Sequence, residues 1–256
     1  MGKELLGSIE LYRIYQMDCL EGMKLIPDKS VDMILCDLPY GVTKNKWDSI
    51  IPLDKMWDQY KRIIKDKGAI VLTSQQPFTT SLILSNQEYF RYTLIWDKIG
   101  TTGFQNAKRM PLRRHEDILV FYKKIPNYNP QMEVRGKPRK KGGSKVDNGC
   151  YGDLRSTESF NNEYYPTSII SISNATKIGK LHPTQKPVAL FEYLIKTYTN
   201  ENEIILDNCM GSGTTAVACI LNKRKWIGFE TDSNYIEIAN KRLEQIQLED
   251  DMKVYE

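Results

Sequence analysis

Asp37-Leu38-Pro39-Tyr40-Gly41 gathers an acid, a fixed turn and an aromatic ring directly after the apolar run Val31 to Cys36. The motif therefore stands at the carboxyl end of a strand, where open α/β sheets gather their ligands. These residue types suit a planar base that carries an amino group. The lone pair of such a nitrogen is delocalised into the ring, so it is a poor nucleophile. Two acceptors aimed at its hydrogens favour a more pyramidal, reactive nitrogen. Asp37 offers one carboxylate oxygen and the backbone carbonyl of Leu38 the other. Pro39 fixes the turn, and Tyr40 presents a π face to a base taken out of its stack.

A second chemical unit runs Ile205-Leu206-Asp207-Asn208-Cys209-Met210-Gly211-Ser212-Gly213-Thr214-Thr215. It reads as a strand, a tight glycine turn and a helix start. Glycines allow close approach of backbone to a ligand, and the helix start offers free N–H groups. Glu230 closes the following strand, where an acid can bind ribose hydroxyls. Position 216 is Ala rather than the last Gly of a dinucleotide fingerprint, and Thr214-Thr215 replaces the Lys-Ser/Thr of a P-loop. An NTPase is therefore disfavoured. Taken alone, the turn also fits a plain strand–helix connection.

Other chemistries find little support. The five cysteines (Cys19, Cys36, Cys150, Cys209, Cys219) form no CxxC pair, and His115 and His182 are the only histidines. A structural zinc site is not expected, and no metal is required. Cys36 and Cys209 flank the two motifs without a nearby His, so buried reduced thiols are expected rather than nucleophiles.

The elements that must position these groups alternate along the chain. Val31 to Cys36, Ala69 to Thr73, Tyr92 to Trp96, Ile118 to Tyr122, Glu203 to Leu206 and Lys225 to Phe229 read as strands. Helical spacing joins Leu53 to Ile64, with Gly68 as terminator, then Phe191 to Tyr198, Gly213 to Leu221 and Ile236 to Ile246. The rhythm predicts an α/β fold: a largely parallel twisted sheet with helices on both faces. From Asn127 to Lys180 periodicity fades, and Arg135 to Lys145 (RGKPRKKGGSK) is expected to be a solvated loop. The acidic stretch Glu249 to Asp251 is expected to fray.

Net charge is +4, but its distribution is uneven. Lys98 to Lys145 holds 13 Lys/Arg against 3 Asp/Glu, leaving 23 basic and 29 acidic residues elsewhere. A basic segment on an acidic body suits a polyanion such as nucleic acid. No apolar run is long enough for a membrane span, and Met1 to Tyr12 lacks the apolar core of a signal peptide, so a cytoplasmic protein is expected.

These motifs resemble those of the β-class (permuted) amino-methylating DNA methyltransferases, the N6-adenine/N4-cytosine family. Asp37-Leu38-Pro39-Tyr40 resembles the family's (D/N/S)-P-P-Y catalytic motif, with Leu in place of the first Pro. Asp207 to Gly213 resembles its FxGxG motif for S-adenosylmethionine (SAM), with Met210 in place of Phe. His182-Pro183-Thr184-Gln185-Lys186-Pro187 resembles the segment that precedes the SAM motif in the β class. The order of the three, with a basic region between first and second, is the permuted order of that class. The resemblance covers roughly residues 10–125 and 180–246.

The resemblance implies a Rossmann-like SAM-dependent methyltransferase domain over 1–256, with a basic target-recognition insert at 125–180. It implies that Asp37, Leu38, Pro39 and Tyr40 hold a flipped adenine. SAM would be held by Asp207, Gly211, Ser212, Gly213 and Thr214, with Glu230 on the ribose, Lys186 and Pro187 flanking, and Asp18 reaching the adenine ring. A solvated surface acid is the plainer reading of Asp18. Double-stranded DNA would meet Lys98, Arg113, Arg114, Arg135, Lys137, Arg139, Lys140 and Lys141, with Trp96 and His115 nearby; core packing suits Trp96 better. The resemblance also admits a homodimer, as some relatives form, and a cognate restriction enzyme in a restriction-modification pair. Asp in the first motif position favours adenine N6 over cytosine N4, where Ser is frequent. The alternatives are an N4-cytosine enzyme, an enzyme acting on a glutamine amide or an RNA base, and a nucleic-acid-binding module without catalysis; the intact Asp37, Tyr40, Gly211 and Gly213 disfavour the last.

Overall fold

The computed structural model describes residues 4–41, 50–142, 145–146, 154–155, 158–174 and 185–253. A short hairpin of β1 (Leu5–Leu6) and β2 (Ile9–Glu10) leads into β3 (Arg13–Gln16) and α1 (Cys19–Lys24). Then follow β4 (Val31–Asp37), α2 (Leu53–Ile63), β5 (Ile64–Ser74), α3 (Phe78–Ser85), β6 (Phe90–Thr102) and β7 (Arg113–Phe121). After β8 (Glu133–Lys141), β9 (Lys145–Val146), β10 (Leu154–Arg155) and β11 (Ser159–Tyr164) come β12 (Ile169–Ser171) and α4 (Val188–Tyr198). The chain continues through β13 (Ile204–Asp207), α5 (Thr214–Leu221), β14 (Lys225–Glu230) and α6 (Ser233–Lys253).

Residues 1–129 and 168–256 belong to one compact unit, and Pro130–Thr167 form a second. The main unit carries an eight-stranded sheet in the order β12-β6-β7-β5-β4-β13-β14-β3. All neighbours run parallel except β7, which is antiparallel to β5 and to β6. This is the largely parallel sheet expected from the alternation of elements.

Apolar side chains on both faces of a strand require cover on both faces. In β4, Ile34 and Cys36 join one core with Met56, Trp57 and Tyr60 of α2 and Phe78 and Leu82 of α3. Met33 and Leu35 join the other, with Leu190 and Leu194 of α4, Ala216 and Val217 of α5, and Ala239 of α6. The sheet thus lies between two helical layers.

The strand order creates the crevice. From β4 the chain crosses through α2 to β5 on one side, whereas from β13 it crosses through α5 to β14 on the other. Adjacent parallel strands whose connections diverge leave a gap between their carboxyl ends. Asp37 ends β4 and Asp207 ends β13, so both expected motifs open onto this gap.

Three local expectations are corrected. Gly68 does not end α2, because the chain turns extended at Ile64 and Gly68 lies within β5. There a Cβ would fall 2.7 Å from the Asp32 carbonyl oxygen, which explains the glycine. Glu249 to Asp251 continue α6 rather than fraying. Arg135 to Lys141 are not a loop but most of strand β8, paired antiparallel with β11 in the second unit. Polar strands of this kind escape a reading based on apolar periodicity.

Among the described residues, no helix is long and apolar enough to cross a membrane. No group of His, Cys, Asp and Glu among them could hold a metal ion.

Candidate active site

A cavity of about 510 Å³ opens at the divergence point and is lined by residues of both motifs: Asp37, Leu38, Pro39 and Tyr40 on one side, and Asp207, Gly211, Ser212 and Thr214 on the other. Asp18, Lys186 and Glu230 also line it, whereas Pro187 and Gly213 do not.

The Asp37 carboxylate is held from three directions. Its Oδ1 accepts from Tyr40 Oη at 2.8 Å and from the hydroxyl of Thr73 on β5, and its Oδ2 accepts from Lys186 Nζ at 2.7 Å. Thr73 lies opposite Asp37 in the β4–β5 register, so the sheet itself brings the hydroxyl into reach. Tyr40 stacks on Phe78 with centroids 5.5 Å apart. Burial, reinforced by Asp37, pushes the Tyr40 phenol well above its ordinary pKa, so it stays a donor. Leu38 turns its side chain into the core at 3% exposure, which leaves its backbone as its contribution to the site.

Lys186, expected to flank the glycine turn, is also paired with the Asp37 carboxylate. Its Nζ lies 3.2 Å from Glu116 Oε2, and Glu116 Oε1 receives Lys98 Nζ at 3.2 Å. Burial alone pulls the Lys186 ammonium down, but Asp37 and Glu116 more than offset it and raise its pKa. Lys98, expected on the DNA surface, is corrected here: its side chain is 4% exposed and paired with Glu116. A buried, paired ammonium cannot meet a backbone phosphate.

The glycine turn is braced from beneath. Asp207 Oδ1 accepts from Cys209 N at 3.0 Å, and its Oδ2 accepts from the Thr215 hydroxyl. Burial raises the Asp207 pKa to about 6, against those two hydrogen bonds. Gly211 (φ +52°) and Gly213 (φ +81°) adopt left-handed backbone. Only the Cys209 carbonyl lies within 4 Å of a Cβ built on Gly211, whereas one on Gly213 would meet Ala239 of α6 at 2.9 Å. Gly213 caps α5, leaving the first N–H groups of that helix at the cavity.

Glu230 does more than line the wall. It accepts from Gly211 N at 2.8 Å, Thr231 N at 2.8 Å and Asp232 N at 2.9 Å. A carboxylate has about four acceptor directions, so roughly one remains for a ligand. Asp18 caps α1 through Leu20 N at 2.8 Å while its residue lines the cavity. Met210 packs under β14, where a Cβ on Gly228 would meet its Cε at 2.3 Å. Burial pushes the Cys36 thiol up to about 12, in keeping with an inert thiol.

Four contributors escaped the sequence reading: Thr73, Glu116, the buried role of Lys98, and Arg242. Arg242 on α6 donates to the Ser212 carbonyl and, at 3.2 Å, to Ser212 Oγ, tying the glycine turn to the last helix. Of the motif His182 to Pro187, only Gln185, Lys186 and Pro187 fall within the described residues.

The other expected DNA contacts divide between the units. Arg113 is exposed and lines the cavity, and Arg114 is forked onto Asp97 at 2.7 and 2.9 Å. Arg135, Lys137, Arg139, Lys140 and Lys141 all lie on β8 of the second unit. Three of them ring Tyr164, with Arg135 and Arg139 at 5.5 Å and Lys141 at 3.5 Å from its centroid. Trp96 is buried and its Nε1 donates to the Ile172 carbonyl at 2.8 Å, as a core residue should.

The chain is 27% identical to the type II methyltransferase M1.MboII of Moraxella bovis, over 94% of this chain and 99% of that protein. It is equally 27% identical to the DNA adenine methyltransferase YhdJ of Escherichia coli (strain K12), over 92% and 83%. The crystal structure of the M1.HpyAVI–SAM complex superposes with a TM-score of 0.61 at 27% identity, covering 90% of this chain and 98% of that one. The cytosine-N4-specific PvuII DNA methyltransferase shares the fold, with a TM-score of 0.66 over 89% and 84% at 15% identity. The family model of the N6/N4 DNA methylases matches residues 31–241, which takes in both motifs and the buried charges between them, and the chain belongs to that family.

Proposed function

We propose that this protein transfers a methyl group from SAM to the N6 nitrogen of adenine at specific sites in duplex DNA. One observation carries the reading: Asp37 and the glycine turn at Gly211 and Ser212 open into the same cavity, at the carboxyl ends of two adjacent parallel strands. The cavity volume falls in the range of small-molecule sites, and the open space beside Gly211 suits close approach of a ligand to backbone. A relative named as a DNA adenine methyltransferase and a related structure solved with SAM support the base and the donor.

When bound, SAM supplies an activated methyl group on its sulfonium. The protein's own residues then orient and stabilise. The glycine turn, Ser212 and the start of α5 hold the donor, with Asp207 bracing the turn from below and Glu230 offering its remaining acceptor direction. Tyr40 receives the base against its ring, after extrusion from the duplex at a few kcal/mol. Asp37 and the Leu38 carbonyl accept from the amino hydrogens. As the nitrogen's new bond to the methyl carbon formed, that carbon's bond to the sulfonium sulfur would break with its electron pair left on sulfur; the positive charge passing to nitrogen would be stabilised by the Asp37 carboxylate until a proton leaves to solvent. The basic unit 130–167, inside the span 125–180 marked by composition, serves as the target-recognition element, joined by Arg113. The setting is the cytoplasm, and a cognate restriction enzyme is the natural counterpart, as the type II names of several relatives suggest.

The test is expression in a host without DNA methylation, followed by digestion of the DNA to nucleosides. N6-methyladenine is expected. N4-methylcytosine would replace the base assignment, and an unmodified nucleoside profile from folded protein would overturn the reading.

A further inference from the structure

Four charges at the motif form an alternating row, Lys98–Glu116–Lys186–Asp37, with successive contacts of 3.2, 3.2 and 2.7 Å. Side-chain exposure is 29% at Asp37, 10% at Lys186, 13% at Glu116 and 4% at Lys98, so only the Asp37 end is open to solvent. Such a row is costly to bury and is stable only when each charge is matched.

Counting acceptor directions shows what the row controls. Asp37 Oδ1 takes two donors, Thr73 and Tyr40, which fills it. Oδ2 takes one, Lys186, so one direction remains there. An amino group donating to Asp37 must therefore arrive at Oδ2, beside the Lys186 ammonium. The placing of that ammonium decides whether the direction stays open. Glu116 Oε2 is buried and makes no hydrogen bond among the described residues, so the Lys186 charge is its compensation.

We propose that Glu116, anchored by Lys98, is a positioning residue for methyl transfer: by sharing the Lys186 ammonium with Asp37 it fixes that ammonium on one acceptor direction of Oδ2 and leaves the other open to the substrate amino group. This rests on the reading of Asp37 as the acceptor of the amino hydrogens. Without the Glu116 charge, the Lys186 ammonium is no longer held to one direction of Oδ2, and Lys98 is left unmatched.

Among the described residues, the charged and titratable groups facing Lys186 are Asp37 on β4, Tyr40 just beyond it, Glu116 on β7 and, behind Glu116, Lys98 on β6. Removing the Glu116 charge takes away one of the two carboxylates that hold Lys186 protonated. The alkaline limb of the rate profile then moves to lower pH.

The experiment compares wild type, E116Q, K98M, the E116Q/K98M pair and D37A in single-turnover methylation, with separate binding measurements for SAM and DNA. E116Q is expected to slow the methyl-transfer step about tenfold or more, with both affinities within about threefold of wild type. Its alkaline limb should move downward, and K98M in that background should restore part of the rate by removing the unmatched charge. An unchanged rate in E116Q overturns the proposal. So does a rate loss that tracks weakened SAM or DNA binding, since that marks a merely structural role. D37A separates the two levels: if it retains methylation, the assignment of Asp37 fails; if D37A is dead and E116Q unaffected, only the role of Glu116 fails.

Discussion

Lys186 Nζ lies 2.7 Å from Asp37 Oδ2, although 149 positions separate the two residues in the chain. The contact joins the motif after β4 to the segment that enters α4, and so couples the base-holding side of the cavity to the approach of the donor-holding side. It also fixes which carboxylate oxygen is left to act, since the other is filled by Thr73 and Tyr40.

Asp37→Ala is therefore expected to lower methylation by at least about a hundredfold, the scale for losing a preorganised polar group at a reacting centre. SAM affinity, measured by calorimetry, should stay within a few-fold because Asp37 does not touch the glycine turn. Equal loss of both would assign Asp37 to the donor instead.

Asp207 gives a pH signature. Its folded pKa, raised to about 6 from an ordinary 3.8, means that the folded state binds the proton more readily than the unfolded state. The contribution of this group to stability is thus full below pH ~4 and declines as pH rises through ~6. Relative to Asp207→Asn, which cannot titrate, wild type should lose about 1.4 kcal/mol between pH 5 and pH 7.5. Urea unfolding of both proteins at the two pH values measures this, and a constant difference would refute it.

The two turn glycines should respond differently to alanine. Gly213→Ala combines a left-handed φ of +81° with a Cβ 2.9 Å from Ala239, so a loss of about 2–3 kcal/mol is expected in unfolding experiments. Gly211→Ala meets no atom closer than 3.9 Å and should cost only about 1 kcal/mol, while its methyl group weakens SAM binding more than it weakens the fold.

Replacing Lys137, Arg139 and Lys140 on β8 together by alanine should weaken DNA binding without changing SAM affinity. Each lost phosphate contact lowers the salt slope of log K by about 0.9. A fluorescence anisotropy titration across salt concentrations reads the slope directly. An unchanged slope would remove β8 from the DNA interface.

Much of this molecule is written locally. Val31 to Cys36 followed by Asp37-Leu38-Pro39-Tyr40, and Ile205 onward followed by the glycine turn, announce a strand end with chemistry at it, because strand, turn and helix start are neighbours in sequence. Glu116 was not legible for a topological reason. It lies near the start of β7, and a strand start normally faces away from the site in a parallel sheet. Because β7 runs antiparallel to β5, its start shares an edge with the carboxyl ends of its neighbours. Lys98 was misread because counting charges along a segment does not distinguish a buried, paired ammonium from a solvated one. The strand β8 was hidden by its polarity: its order comes from pairing with β11 and from cations around Tyr164, neither of which leaves an apolar rhythm.

The second unit, Pro130–Thr167, is bounded by residues that the main unit holds in place through α4 on one side and the sheet on the other. Asn129 N donates to the Thr197 carbonyl at 2.8 Å, and the Ser168 carbonyl accepts from Ile95 N at 2.8 Å. A segment fastened at both junctions behaves as a cassette: its interior can be rewritten by mutation or recombination while the methylating scaffold keeps its register. With this unit proposed as the target-recognition element, a lineage carrying the architecture is expected to acquire a new DNA address without reinventing its catalyst, and an engineer to graft one between the same two anchors.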